Sequence, residues 1–159
     1  MLIQCIGNRL MGDDAAGPLV ADRLRELPLP SDVQVREYWG EGSELLQDWD
    51  EASQVILVDG ALSGADTGTL HRINLIEETV PAGLCFRGSH QFGVAEAVET
   101  ARVLGRLPRD IRLFAIEGLN FSFGAEPTSA VTVAVQELAE EIVILTRAPD
   151  TDYARPPRA

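Results

Sequence analysis

Val55-Ile56-Leu57-Val58 is an unbroken apolar run, rich in β-branched residues and closed at once by Asp59-Gly60. A strand apolar at every position has to bury both of its faces, as the central strands of parallel sheets do. Parallel neighbours need crossover connections, usually helical. The rest of the chain supplies them. Leu2 to Ile6 is a short apolar strand stopped by the turn pair Gly7-Asn8. A helix is predicted from Ala15 to Glu26, with Asp13 or Asp14 as its cap, Pro18 in its first turn and Pro28-Leu29-Pro30 ending it. Val33 to Tyr38 alternates as a half-buried strand, and Ser43 is placed to cap a short helix running through Asp48. Thr69 to Ile73 and Ile111 to Ile116 read as further strands, with a helix from His90 to Leu104 between them. The last helix, Thr128 to Thr146, is the most regular: Val131, Val135, Leu138, Ile142 and Leu145 recur at threes and fours. This alternation predicts an α/β fold, a three-layer α/β/α sandwich around a mostly parallel sheet, over residues 1–146. Residues 147–159, rich in Pro and Arg, read as a flexible tail.

Composition excludes more than it identifies. A chain of 159 residues fits one domain. A net charge of −12 argues against nucleic acid and anionic membrane as partners. Lysine is absent, all 13 basic residues being Arg, which removes Schiff-base chemistry and any Walker-type phosphate lysine. Cys5 reads as a buried thiol in the first strand and Cys85 as a loop thiol, with no paired metal spacing between them. Arg9, Asp13 and Asp14 interrupt any early apolar core, so no secretory signal is expected. No stretch reaches the ~20 apolar residues of a membrane span. The expected location is the cytoplasm.

Three segments place reactive side chains at element ends: Gly7 to Asp14, Val58-Asp59-Gly60, and Gly88-Ser89-His90-Gln91. In open α/β sheets, ligands bind beyond the carboxyl ends of the strands. Two carboxylates and a neutral imidazole there make a transition-metal donor set with open positions. Each also has a plain structural alternative. Asp13 or Asp14 can cap a helix, Asp59-Gly60 can form a turn, and His90 can be a cap or surface residue. His71, in mid-strand beside Arg72, reads as structural.

The ordered set Gly7-Asn8-x-Leu10-x-Gly12-Asp13-Asp14 with Gly17, then Val58-Asp59, then Ser89-His90-Gln91 with Gly93, resembles the hydrogenase maturation endopeptidases. Gly40 before Leu45-Leu46, and Gly124 with Pro127-Thr128, extend the likeness. The resemblance implies an α/β sandwich with a twisted sheet. It further implies removal of the C-terminal extension from a nickel-loaded large-subunit precursor of a nickel-iron hydrogenase. By the same resemblance Asp14, Asp59 and His90 are both the catalytic and the metal-contacting set. The nickel is supplied by the substrate, a metal of the enzyme's own being left open, and the hydrogenase large-subunit precursor is the partner. Cys5, Gly60 and Asp14 depart from the commoner glycine, alanine and glutamate at those positions.

Three other functions share parts of this pattern. A receiver-like signalling module shares the acidic pair and an aspartate near 59. It requires a lysine, however, and has no counterpart to the six residues Gly7 to Gly12 between strand and acidic pair. A metal-dependent aminopeptidase needs more ligands than two histidines provide. A non-catalytic nickel-binding assembly factor could use the same three side chains.

Overall fold

The computed structural model describes residues 1–86 and 92–147. Strands β1 (Leu2–Ile6), β2 (Gln34–Tyr38), β3 (Gln54–Leu62), β4 (Leu70–Asn74), β5 (Cys85–Phe86) and β6 (Asp110–Glu117) form one sheet. The helices are α1 (Ala16–Glu26), α2 (Gly42–Trp49), α3 (Val94–Val103) and α4 (Ser129–Arg147). The strand order is β2-β1-β3-β6-β4, with β5 attached to β3. The pairs β1–β2, β1–β3 and β3–β6 are parallel, whereas β4 runs antiparallel to β6 and β5 antiparallel to β3. The sheet is therefore mixed and mostly parallel, as expected.

Both faces of the sheet are covered, so the central strands are apolar throughout. On β3, Val55 and Leu57 pack with Leu45, Trp49, Val94 and Val98 of α2 and α3. Ile56 and Val58 pack with Val20, Leu24, Val135 and Leu138 of α1 and α4. One polar side chain sits within the first layer. Gln4 is fully buried and accepts a 2.7 Å hydrogen bond from the Trp49 indole N–H, so its burial is compensated.

Several boundaries differ from expectation for identifiable reasons. β3 does not stop before Asp59; its ladder with β6 continues to Ala61, carrying the Asp59-Gly60 pair inside the strand and not in a turn. α1 begins at Ala16 after a 3-10 turn over Gly12–Ala15, and neither Asp13 nor Asp14 caps it. Both carboxylates are engaged elsewhere. Ser43 lies inside the first turn of α2, and its hydroxyl donates to Glu41. α3 starts at Val94, where the Glu96 carboxylate accepts the Gly93 N–H at 3.0 Å. The stretch from His90 to Gln91 lies outside the described residues, as does the expected tail beyond Arg147. Arg147 itself ends α4 and donates to the Pro28 carbonyl. No helix among the described residues is long and apolar enough to cross a membrane.

Candidate functional site

The connection from β1 through α1 leads outward to β2, and the return through α2 comes back past β1 to β3. Successive crossovers leave in opposite directions, placing α1 and α2 on opposite faces and opening a crevice at the carboxyl ends of β1 and β3. A second feature deepens it. The β1–β3 ladder ends at Cys5–Val58, and β5 does not take up the same edge of β3 until Ala61. Asp59 falls in that gap. A cavity of about 370 Å³ opens there, lined among others by Gly7, Asp14, Trp39, Asp59, Phe86 and Val94.

Gly7 and Gly17 let the chain deliver Asp14 to this place. Gly7 has φ of +144°, and a Cβ on it would lie 2.0 Å from the Asp14 carbonyl oxygen. A Cβ on Gly17 would lie 2.1 Å from the Ile6 carbonyl oxygen, so α1 rests directly on the end of β1. Gly60 faces the same turn: the alanine commoner after this aspartate would bring its Cβ to 3.0 Å from the Asp13 carbonyl oxygen.

Four carboxylates are buried at this end of the sheet: Asp13, Asp14, Asp59 and Glu117. Their surroundings divide them. Asp13 Oδ2 accepts the Leu119 and Asn120 N–H groups at 2.8 and 3.0 Å, and Oδ1 accepts that of Thr128 at 2.7 Å. Burial works to raise its pKa, but the Asn120, Leu119 and Thr128 donors prevail and hold the carboxyl below the usual range. Glu117 accepts the Ser63 N–H at 2.7 Å, its hydroxyl at 2.8 Å and the Gly64 N–H at 2.9 Å. It also meets His71 Nε2 at 2.9 Å. Against burial, these partners hold it below the ordinary glutamate value. His71, in mid-strand on β4, is thus engaged by a buried carboxylate.

Asp14 and Asp59 are different. Asp14 Oδ2 accepts the Asn8 N–H at 2.9 Å, and burial pushes its carboxyl up against that single donor. Asp59 Oδ1 accepts the N–H of its own neighbour Gly60 at 2.7 Å. Burial first, and then the charge of Asp14, drive the Asp59 carboxyl well above the usual carboxylate range. No Arg or His among the described residues offsets either one. Two of the three candidate residues thus line one cavity and interact electrostatically. The third, His90, lies outside the described residues. Among the described residues no group of three or more His, Cys, Asp or Glu is arranged to hold a metal. Sequence reasoning singled out Asp59 but passed over Glu117, although Ile116-Glu117-Gly118 repeats the pattern Val58-Asp59-Gly60. Both sequences end an apolar run with an acid and a glycine; the partners alone tell them apart.

The model of the hydrogenase maturation protease family matches residues 19–144, a stretch that includes Asp59 and His90 and begins after Asp14. The chain belongs to that family. A hydrogenase expression/formation protein, HupD of Rhodobacter capsulatus, is 28% identical over 152 residues, spanning 93% of this chain and 71% of the relative. The hydrogenase maturating endopeptidase HybD from Escherichia coli superposes with a TM-score of 0.78 at 24% identity, covering 95% of this chain and 98% of its own. An endopeptidase from Escherichia coli, solved in solution, gives a TM-score of 0.72 at 25% identity, over 92% and 91% of the two chains. This hydrogenase maturation protease is accordingly a peptide-bond hydrolase that processes the C-terminus of the hydrogenase large subunit. Membership sets aside the receiver module, the aminopeptidase and the non-catalytic assembly factor.

Proposed function

We propose that Asp14 and Asp59, with His90 as the third donor, engage the nickel already inserted in the large-subunit precursor and so position its C-terminal segment for cleavage. One observation supports this above the others. Of the four buried carboxylates, Asp13 and Glu117 each accept three or more hydrogen bonds, whereas among the described residues Asp14 and Asp59 have one backbone N–H each, and the charge of Asp14 raises the Asp59 carboxyl. Buried like charges without a counter-ion are costly, and a divalent cation entering between them relieves that cost. Carboxylate and imidazole together suit a borderline ion such as nickel. A precursor lacking the ion offers nothing to complete the pair, so contact with nickel acts as a test of loading.

Binding through the ion also fixes the scissile peptide against the cavity wall, and positioning of this kind supplies much of a hydrolase's rate advantage. Hydrolysis adds hydroxyl from water to the carbonyl carbon and a proton to the departing amide nitrogen. The test mixes the protein with nickel-loaded and nickel-free precursor and follows precursor mass. Loss of a C-terminal peptide from the loaded form alone is expected. Cleavage of both forms equally would remove nickel from the recognition step, and binding without cleavage would remove these residues from the chemistry.

A further inference from the structure

Asp13 raises a question the cleavage site does not answer: what is gained by fastening the segment after β6 so firmly. Its carboxylate binds three backbone N–H groups of that segment, and its own N–H donates to the Asn120 carbonyl at 2.8 Å. The two loops are joined again by the Gly124 N–H on the Leu10 carbonyl at 2.8 Å. Asn8 and Asn120 brace their own loops by accepting the N–H groups of Leu10 and Ser122. The Phe121 ring lies over Gly118, where a Cβ would come within 2.5 Å of it. The product of all this bracing is a pair of rigid loops that display their apolar side chains outward. Leu10, Leu119 and Phe123 are 54%, 70% and 78% exposed.

Exposed large apolar groups held on stiff backbone mark interaction sites, because little ordering entropy is lost when a partner covers them. The patch is also electrically neutral. Residues 118–125 and 10–12 carry no charge in a chain whose net charge is −12, and the adjacent Arg9 is paired with Asp22 and Glu37. Its location is the second constraint. Gly7 and Asp14 line the cleavage cavity, and the loop between them carries Leu10 and is tied to Asp14 by the Asn8 N–H, so the patch stands beside the cavity without lining it.

We propose that Leu10, Leu119 and Phe123 form the surface on which the folded body of the large-subunit precursor docks, through an uncharged apolar face, while its C-terminal segment enters the cavity. This rests on the reading of Asp14 and Asp59 as the cleavage site. A substrate whose end lies in that cavity must place its body against the surface around it, and the braced loops beside it are apolar and uncharged. Covering these side chains removes their apolar area from water, so truncating them weakens the interface.

The test compares wild type with the double variant Leu119→Ser/Phe123→Ser in two measurements. Affinity for nickel-free precursor is read by calorimetry, independently of cleavage, and is expected to fall at least tenfold. For loaded precursor, KM is expected to rise by a similar factor with kcat unchanged, and Phe123→Leu is expected to retain wild-type affinity. Equal affinity of wild type and double variant overturns the proposal. So does a wild-type dimer that the variant dissociates, or loss of binding to phosphatidylglycerol vesicles with precursor affinity intact. Should wild type fail to cleave at all, the cleavage reading falls while the binding comparison still decides the docking surface. If the double variant does not fold, Leu10→Ser gives the same comparison.

Discussion

Asp13→Asn separates a fastening role from a reactive one. The side chain accepts three buried N–H groups, two on Oδ2 and one on Oδ1. An amide of the same shape retains one oxygen. With that oxygen kept on the Leu119 and Asn120 donors, the amide nitrogen faces the Thr128 N–H and that bond is lost. A hydrogen bond to a charged acceptor is worth about 1.5–3 kcal/mol, and the two that remain decline toward the neutral value of about 1 kcal/mol. Relief of the buried charge returns part of this, leaving a net loss of about 3 kcal/mol. For a chain of this size each kcal/mol moves Tm by roughly 2–4 °C, so a fall of about 6–12 °C is expected. Calorimetric or circular-dichroism melting reads it, alongside cleavage assayed well below the transition, which should persist. An unchanged Tm would refute the assignment of these three bonds as a structural tie. An unchanged Tm with cleavage abolished would go further and make Asp13 a reacting group.

Asp14→Asn and Asp59→Asn should each abolish processing of loaded precursor without lowering Tm, since each removes a poorly compensated charge; a variant that unfolds would return its residue to a structural role. Glu117 gives a pH signature. Its folded pKa is depressed, so its contribution to stability is complete above the unfolded value of 4.5 and is lost as pH falls through the lower folded value. Glu117→Gln should therefore cost about 2 kcal/mol at pH 7 and flatten the loss of stability below pH 4.5, as read by urea titrations across that range. Gly17→Ala should be among the most damaging single changes, about 3 kcal/mol or more, because its Cβ would meet the β1 backbone and α1 would have to lift away; urea unfolding measures the loss.

The layers of this fold were legible because they depend on periodicity. The apolar run in β3 and the threes and fours of α4 each specify their burial without help from distant residues. The antiparallel direction of β4 was not legible, because Leu70–Asn74 takes its sense from its partner β6 and not from its own composition. The two-residue β5 was too short to leave a pattern. At the site, the sequence singled out Asp59 by its place after an apolar run, and the same rule applies equally to Glu117. What divides them is the set of donors arriving from Ser63, Gly64 and His71, a matter of tertiary contact. Asp13 and Asp14 could not be distinguished as neighbours in sequence for the same reason. Even the capping expectation failed on this point, since both side chains are taken up by partners outside α1.

That adjacency has a consequence for how this segment can change. Two successive acids in one tight turn have different partners, Asp13 riveting the segment after β6 and Asp14 lining the cavity. Inserting or deleting a single residue between Gly7 and Asp14 would shift both acids from their present frame, stripping the rivet from its three amide donors and moving the other acid off the cavity. Grafting this chemistry onto another scaffold therefore means transplanting the turn in its original frame, with the loop it secures.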